Sequence, residues 1–209
     1  MNPSEELKRR LGECPLIAII RGVTPDEAAE IGAAIVEGGI RIVEVPLNSP
    51  QPFDSIRRLA DALGDGALVG AGTVLDPADV ARVKDAGGRI VVSPSTDAAV
   101  IEASVTAGLI STPGYFTPSE AFEAIRAGAH GLKLFPAEAA SPAVVKAQKA
   151  VLPPAIPLLV VGGLKPETMR PWLAAGADGF GLGGGLYRPG QSPEETAAKA
   201  RAYVGGLSA

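Results

Sequence analysis

Only one cysteine and one histidine occur among these 209 residues, and the two scarcities remove whole classes of chemistry. Cys14 has no partner for an internal disulfide, and a lone thiol outside any Cys or His cluster offers no zinc-ligand spacing. A single histidine, His130, excludes multi-histidine metal centres, and it excludes a Ser-His-Asp triad unless it is itself the base. Its setting between Ala129 and Gly131, ahead of an apolar run, is that of a turn residue at the surface or boundary. Neither a metal nor an organic cofactor is expected. A basic face is missing too: 19 Lys and Arg stand against 23 Asp and Glu, with a net charge of -4 and a pI near 5.1. Nothing there would neutralise a nucleic-acid backbone, so no nucleic-acid partner is expected. No apolar run approaches the ~20 residues that span a bilayer. The opening Met1-Asn2-Pro3-Ser4-Glu5-Glu6 lacks the basic and apolar regions of an export signal, so the expectation is a cytoplasmic protein with no membrane partner.

Glycine and proline are plentiful, at 26 and 19 residues, and their placement organises the chain. A helical stretch followed by Ala-Gly or Gly-Gly and a short apolar run recurs, with Gly87, Gly108 and Gly128 roughly 20 residues apart, the period of one βα unit. Glycine ends a helix in the left-handed conformation that other residues resist. Prolines 25, 50, 77, 118, 142, 166 and 193 stand where helices should begin, a position that tolerates the missing N–H. Several follow a capping side chain, as in Thr24-Pro25, Asp76-Pro77, Thr117-Pro118, Ser141-Pro142 and Ser192-Pro193. Strands are predicted at Leu16–Ile20, Ile42–Val45, Leu68–Gly72, Ile90–Ser93, Ile110–Thr112, Leu132–Phe135, Leu158–Val161 and Gly179–Leu182. Continuous apolar runs suit parallel strands covered on both faces. The expected fold is therefore a single α/β domain over residues 1–209, a (β/α)8 TIM barrel preceded by a helical extension over residues 1–13. A doubly wound open sheet is the alternative, but no G-x-G-x-x-G opens the first βα turn.

Charged residues within such strands are informative because they must face either the helices or the barrel interior. Arg21 ends the first strand, Glu44 lies between Val43 and Val45, and Lys133 between Leu132 and Leu134. With side chains alternating, Glu44 and Lys133 point inward if their neighbours face the helices. One reading is an ion pair that merely fills the barrel; the other is chemistry, since enclosure lowers a lysine pKa and a neutral amine attacks ketones. At the ends of the last two strands, Gly162-Gly163 and Gly183-Gly184-Gly185 could bring backbone N–H groups close to a phosphate. Thr73 offers a hydroxyl at the same rim, or caps a local turn.

Taken in order, Ile19-Ile20-Arg21-Gly22, Val43-Glu44-Val45-Pro46-Leu47-Asn48, Gly70-Ala71-Gly72-Thr73-Val74, Thr112-Pro113-Gly114, Leu132-Lys133-Leu134-Phe135-Pro136 and Val161-Gly162-Gly163 resemble the 2-keto-3-deoxy-6-phosphogluconate/galactonate aldolase family. The resemblance implies a class I aldolase acting on a phosphorylated 2-keto-3-deoxy sugar acid. It assigns Lys133 as Schiff-base lysine and Glu44 as general acid and base. Arg21 and Thr73 then surround the pyruvate portion, with Pro94 and Gly184 in the substrate site and Gly162, Gly163 and Gly183 at the phosphate end. It also implies a homotrimer. Pro46-Leu47-Asn48-Ser49-Pro50, Val161 and Leu186-Tyr187-Arg188-Pro189-Gly190-Gln191-Ser192 look like the galactonate branch, because gluconate relatives usually carry Thr in the place of Val161. Gly184 and Gly185 depart from a common Ser and acidic residue, which removes one hydroxyl contact to phosphate. Two rivals on the same barrel are a metal-dependent phosphosugar epimerase, which would need more than one histidine, and a non-catalytic phosphosugar-binding protein.

Overall fold

The computed structural model describes residues 2–208. Nine parallel strands alternate with helices. The strands are β1 Leu16–Ile19, β2 Ile42–Pro46, β3 Leu68–Gly72, β4 Ile90–Val92, β5 Ile110–Thr112, β6 Gly114–Tyr115, β7 Leu132–Leu134, β8 Leu158–Val161 and β9 Gly179–Leu182. Hydrogen-bonded neighbours run β5-β4-β3-β2-β1-β9-β8-β7-β6. The terminal members of that order, β5 and β6, are separated in sequence only by Pro113, so the sheet curls into a nearly closed barrel whose seam is a single interrupted strand. Eight strand positions were read from the sequence, and the fifth is the one that is split. Proline carries no N–H and cannot continue a ladder as donor; its carbonyl still accepts from the Lys133 amide at 2.9 Å.

Helices α1 Pro3–Glu13, α2 Pro25–Glu37, α3 Pro52–Leu63, α4 Pro77–Asp85, α5 Ala98–Thr106, α6 Pro118–Arg126, α7 Pro142–Lys149, α8 Arg170–Ala174 and α9 Pro193–Gly205 complete the chain. Proline opens most of them, because its fixed φ suits the first turn. Two expectations shift. The third helix begins at Pro52 and not at Pro50, since Gln51 takes a left-handed φ of 42° that redirects the backbone. Pro166 heads a single 3-10 turn, Pro166–Thr168, before the short α8. Thr117 and Glu120 form a reciprocal capping box at α6, and Asp76 accepts from Ala78 N–H at α4. Ser141, by contrast, makes no side-chain cap.

Two apolar layers follow from side-chain alternation along the strands. Val43, Val45, Leu132, Leu134 and Val160 face outward, packing against Ile31, Ile35, Val145 and the other inward residues of the helices. Ile17, Ile42, Leu68, Ile90, Ile110 and Leu159 fill the barrel interior, together with Leu7 and Leu11 of α1. The N-terminal helix is thus a plug: Leu7 is 0% exposed and belongs to the interior layer. Burying a side chain of that size contributes about 1.5–3 kcal/mol. Buried Arg10 donates to the carbonyls of Asp65 and Gly66, and Glu6 accepts from Arg89 at 3.0 Å. These three bonds pin α1 across the lower end of the barrel. No helix among the described residues is long and apolar enough to cross a membrane.

Candidate active site

Above the aliphatic layer the barrel interior turns polar. The expected alternation holds: with their neighbours facing the helices, Glu44 on β2 and Lys133 on β7 are directed inward, 1% and 7% exposed. Space for the carboxylate comes from Gly72 on the adjacent strand, where a Cβ would lie 1.6 Å from Glu44 Oε2. Glu44 and Lys133 interact through Coulombic attraction but form no direct ion pair, so the barrel-filling salt bridge considered above is absent. Glu44 Oε2 has no hydrogen-bond partner in the protein.

Burial is the main influence on both groups. It drives the Glu44 carboxyl up to about 7, against the opposing attraction of Lys133 and Arg21. For Lys133 it moves the amine below the ordinary lysine range; Glu44 pulls the other way and the Arg21 guanidinium adds to the depression. A carboxyl that titrates near neutrality can both donate and accept protons, and a lysine with a lowered pKa has more of the neutral amine. The Lys133 ammonium nitrogen lies 4.8 Å from the centre of the Phe135 ring.

Arg21, just past β1, donates to the Asn48 side-chain oxygen, and a terminal nitrogen reaches Thr73 Oγ1 at 3.5 Å. The Asn48 loop is held in turn by Ser49 Oγ, which accepts from Gly22 N–H at 2.9 Å. Thr73 has a φ of 55°. A β-branched residue in the left-handed region is strained, and such strain persists where the surroundings over-determine it. Here it turns Thr73 inward toward Arg21.

These groups open into a cavity of about 480 Å³ at the C-terminal ends of the strands. Arg21, Thr73, Pro94, Lys133, Gly162, Gly163, Gly183 and Gly184 all line it. Glu44 lies beneath the lining, within electrostatic reach of Lys133. Gly162 has a φ of 128°, which a side chain would resist, and its missing Cβ leaves room for the Glu138 carboxylate. Gly183 O accepts from Leu186 N–H and Tyr187 N–H, forming a helical turn whose Gly184 and Gly185 amides make no backbone hydrogen bond. At Gly184 a Cβ would meet nothing within 4 Å, whereas at Gly185 it would lie 2.2 Å from Tyr203 Oη. The tyrosine, donating to Leu164 O at 2.8 Å, occupies the space a larger residue at 185 would need.

Sequence reading gave no role to Asn48, Phe135, Glu138 or Arg188. Asn48, Phe135 and Arg188 lie inside quoted motifs, but nothing in the pattern says which way they point. Glu138 and Arg188 line the cavity from turns after β7 and β9, where strand alternation no longer applies. His130 is remote from this chemistry: its Nδ1 accepts from Ser111 N–H at 3.0 Å, and burial lowers its pKa. Among the described residues no three His, Cys, Asp or Glu side chains gather as a metal site.

A lysine and a carboxylate inside a barrel, beneath two glycine-rich rims, match a known family pattern. The model of the KDPG and KHG aldolase family matches residues 7–194. The chain belongs to the KDPG and KHG aldolase family. It is accordingly an aldolase, a carbon–carbon lyase. The chain is similar to the 2-dehydro-3-deoxy-6-phosphogalactonate aldolase of Escherichia coli strain K12, at 49% identity over 190 residues, covering 91% of this chain and 93% of that one. To the KHG/KDPG aldolase of the same organism it is 33% identical over 162 residues, 77% of this chain and 75% of the relative. A solved structure described as native KDPGal superimposes with a TM-score of 0.92 at 47% identity, covering 94% of this chain and 95% of that chain.

Proposed function

We propose that this enzyme is a class I aldolase that cleaves 2-dehydro-3-deoxy-6-phosphogalactonate to pyruvate and glyceraldehyde 3-phosphate. The observation that carries the reading is Lys133 lining the cavity with Glu44 buried just beneath it, the amine lowered and the carboxyl raised toward neutrality. Neutral Lys133 attacks the C2 ketone, and Glu44 relays the protons that release water from the carbinolamine. As the C3–C4 bond breaks, its electron pair moves into the iminium. Glu44, directly or through one water, takes the C4 hydroxyl proton, and the aldehyde departs. Protonation of the enamine at C3 and hydrolysis then free pyruvate and Lys133. Arg21, held toward the cavity by Asn48, binds the substrate carboxylate through paired hydrogen bonds, with Thr73 and Pro94 beside it. Gly162, Gly163, Gly183 and Gly184 receive the phosphate. No metal takes part, so excess chelator is expected to leave the rate unchanged.

Buried Val161, apolar and lining the cavity, favours the galactonate epimer in this reading. The second reading, cleavage of the gluconate epimer or of 4-hydroxy-2-oxoglutarate, draws on the similarity to the KHG/KDPG relative. Rates on the C4 epimers decide between them. By analogy with the family, the enzyme works as a cytoplasmic homotrimer; sedimentation analysis measures the subunit number. The mechanism is tested by borohydride reduction with pyruvate and mass mapping. A pyruvate adduct on Lys133 is expected, and bound pyruvate without an adduct would overturn the imine chemistry.

A further inference from the structure

The cavity is lined by four charged side chains, Arg21, Lys133, Glu138 and Arg188, and their distribution is uneven. Arg21 is engaged with Asn48 and Thr73, and in the mechanism above Lys133 spends its amine on the imine. The opposite end carries a carboxylate: Glu138 lies so close to the Gly162-Gly163 backbone that a Cβ on Gly162 would be 2.1 Å from Oε2. A phosphate seated on those glycines would meet like charge, and the one cation of that loop, Lys165, is not among the residues that line the cavity. Arg188 is the cation on the facing turn. Its Nε donates to Gly184 O at 3.0 Å, which orients the guanidinium along the glycine turn and leaves both terminal nitrogens free. Among the described residues it pairs with no carboxylate. Its loop is seated, because Pro189 packs where a Cβ of Gly22 would lie, 2.6 Å from Pro189 Cγ. Beside it, the Gly184 and Gly185 amides make no backbone hydrogen bond.

We propose that Arg188 is the phosphate-binding cation of this enzyme, offsetting Glu138 and supplying the contact that Gly184, lacking a hydroxyl, cannot make. A planar guanidinium fits a phosphate bidentately, and the charge-assisted bonds are among the stronger ones a protein makes. The inference rests on the aldolase reading for the identity of the ligand, but the binding site itself can be tested separately.

The test is calorimetric titration of the full chain with inorganic phosphate, together with cleavage kinetics. Arg188→Ala is expected to weaken phosphate binding by tenfold or more and Arg188→Lys to retain part of it, because Lys keeps the charge and loses the fork. Glu138→Gln is expected to tighten phosphate binding severalfold. In cleavage, Arg188→Ala should raise KM for the phosphorylated substrate at least tenfold with kcat within about threefold, a factor small beside the tenfold that 1.4 kcal/mol represents. Pyruvate trapping on Lys133 should be unchanged. Phosphate affinity and KM that stay within twofold of the parent, phosphate binding weakened by Glu138→Gln, or trapping lost in parallel with KM would each overturn the assignment. A parent protein that forms no pyruvate adduct would instead count against the aldolase reading, and the phosphate titration would still report on Arg188.

Discussion

Gly72→Ala is the substitution whose consequence the geometry makes most specific. Gly72 sits at the end of β3, facing the Glu44 carboxylate, and an added methyl carbon would lie 1.6 Å from Oε2, 2.2 Å from Cδ and 2.4 Å from Oε1. Backbone torsion is no obstacle, since Gly72 is not among the glycines with positive φ, so the whole effect falls on the carboxylate. Glu44 must withdraw by about 1 Å or more, and a displacement of about 1 Å at a proton-transfer group costs on the order of 100-fold in rate. Overpacking of this kind destabilises by about 1–3 kcal/mol. In a chain of this length about 1 kcal/mol corresponds to a Tm change of roughly 2–4 °C. The expected variant is folded, melts a few degrees lower, retains borohydride-trapped pyruvate on Lys133 and turns over about 100-fold more slowly. Steady-state kcat beside a thermal melt and the trapping reaction reads all three. A folded Gly72→Ala protein with kcat and pH profile within twofold of the parent would show that Glu44 needs no such placement, and the proton-relay argument would fail.

Three further outcomes follow from separate parts of the molecule. Because the folded Glu44 pKa lies above its unfolded value, the carboxyl is neutral in the fold and ionised in the unfolded chain as pH rises from about 4.5 toward 7, so its burial progressively costs stability over that window. Glu44→Gln is therefore expected to melt higher than the parent at pH 8 but not at pH 4, and to erase the kcat/KM inflection near neutrality; equal melting differences at both pH values would contradict the raised pKa. Val161→Thr places a hydroxyl in the cavity, and a single neutral hydrogen bond of about 0.5–1.5 kcal/mol should shift the ratio of rates on the two C4 epimers roughly 2- to 10-fold toward the gluconate form, measurable by paired assays. Leu7→Ala, in the helix that plugs the barrel, should cost about 2–5 kcal/mol in denaturant unfolding while kcat stays near that of the parent.

Much of this architecture is written in local chemistry. Strands covered on both faces read as uninterrupted apolar runs, and proline, capping side chains and glycine mark the joints between elements, so the barrel could be traced before any contact was known. Lys133 and Glu44 stood out because charge inside such a strand demands a reason. What escaped notice depends on long-range contact. The split at Pro113 is a closure effect, visible only when β5 and β6 find different neighbours. Leu7 and Leu11 look like one side of an ordinary amphipathic helix, and nothing local says that they end inside the barrel. Thr73 is forced into the left-handed region, which its own preference argues against. The place of Gly72 is set by a side chain 28 residues away in sequence, at position 44, while Glu138 and Arg188 sit on turns whose direction no periodicity encodes.

The plug formed by α1 also bears on the order of events in turnover. With Leu7 and Leu11 filling the lower end, the cavity opens toward the strand ends, where the glycine turns lie. For the proposed cleavage, two fragments formed in a chamber closed at one end would leave in sequence. In the proposed mechanism the phosphorylated aldehyde, nearer the opening and bound by no covalent link, would go first, and the three-carbon remainder, tethered to Lys133 deeper in, would wait for hydrolysis. In the synthetic direction of the proposed reaction the order would reverse, with pyruvate loaded before the aldehyde.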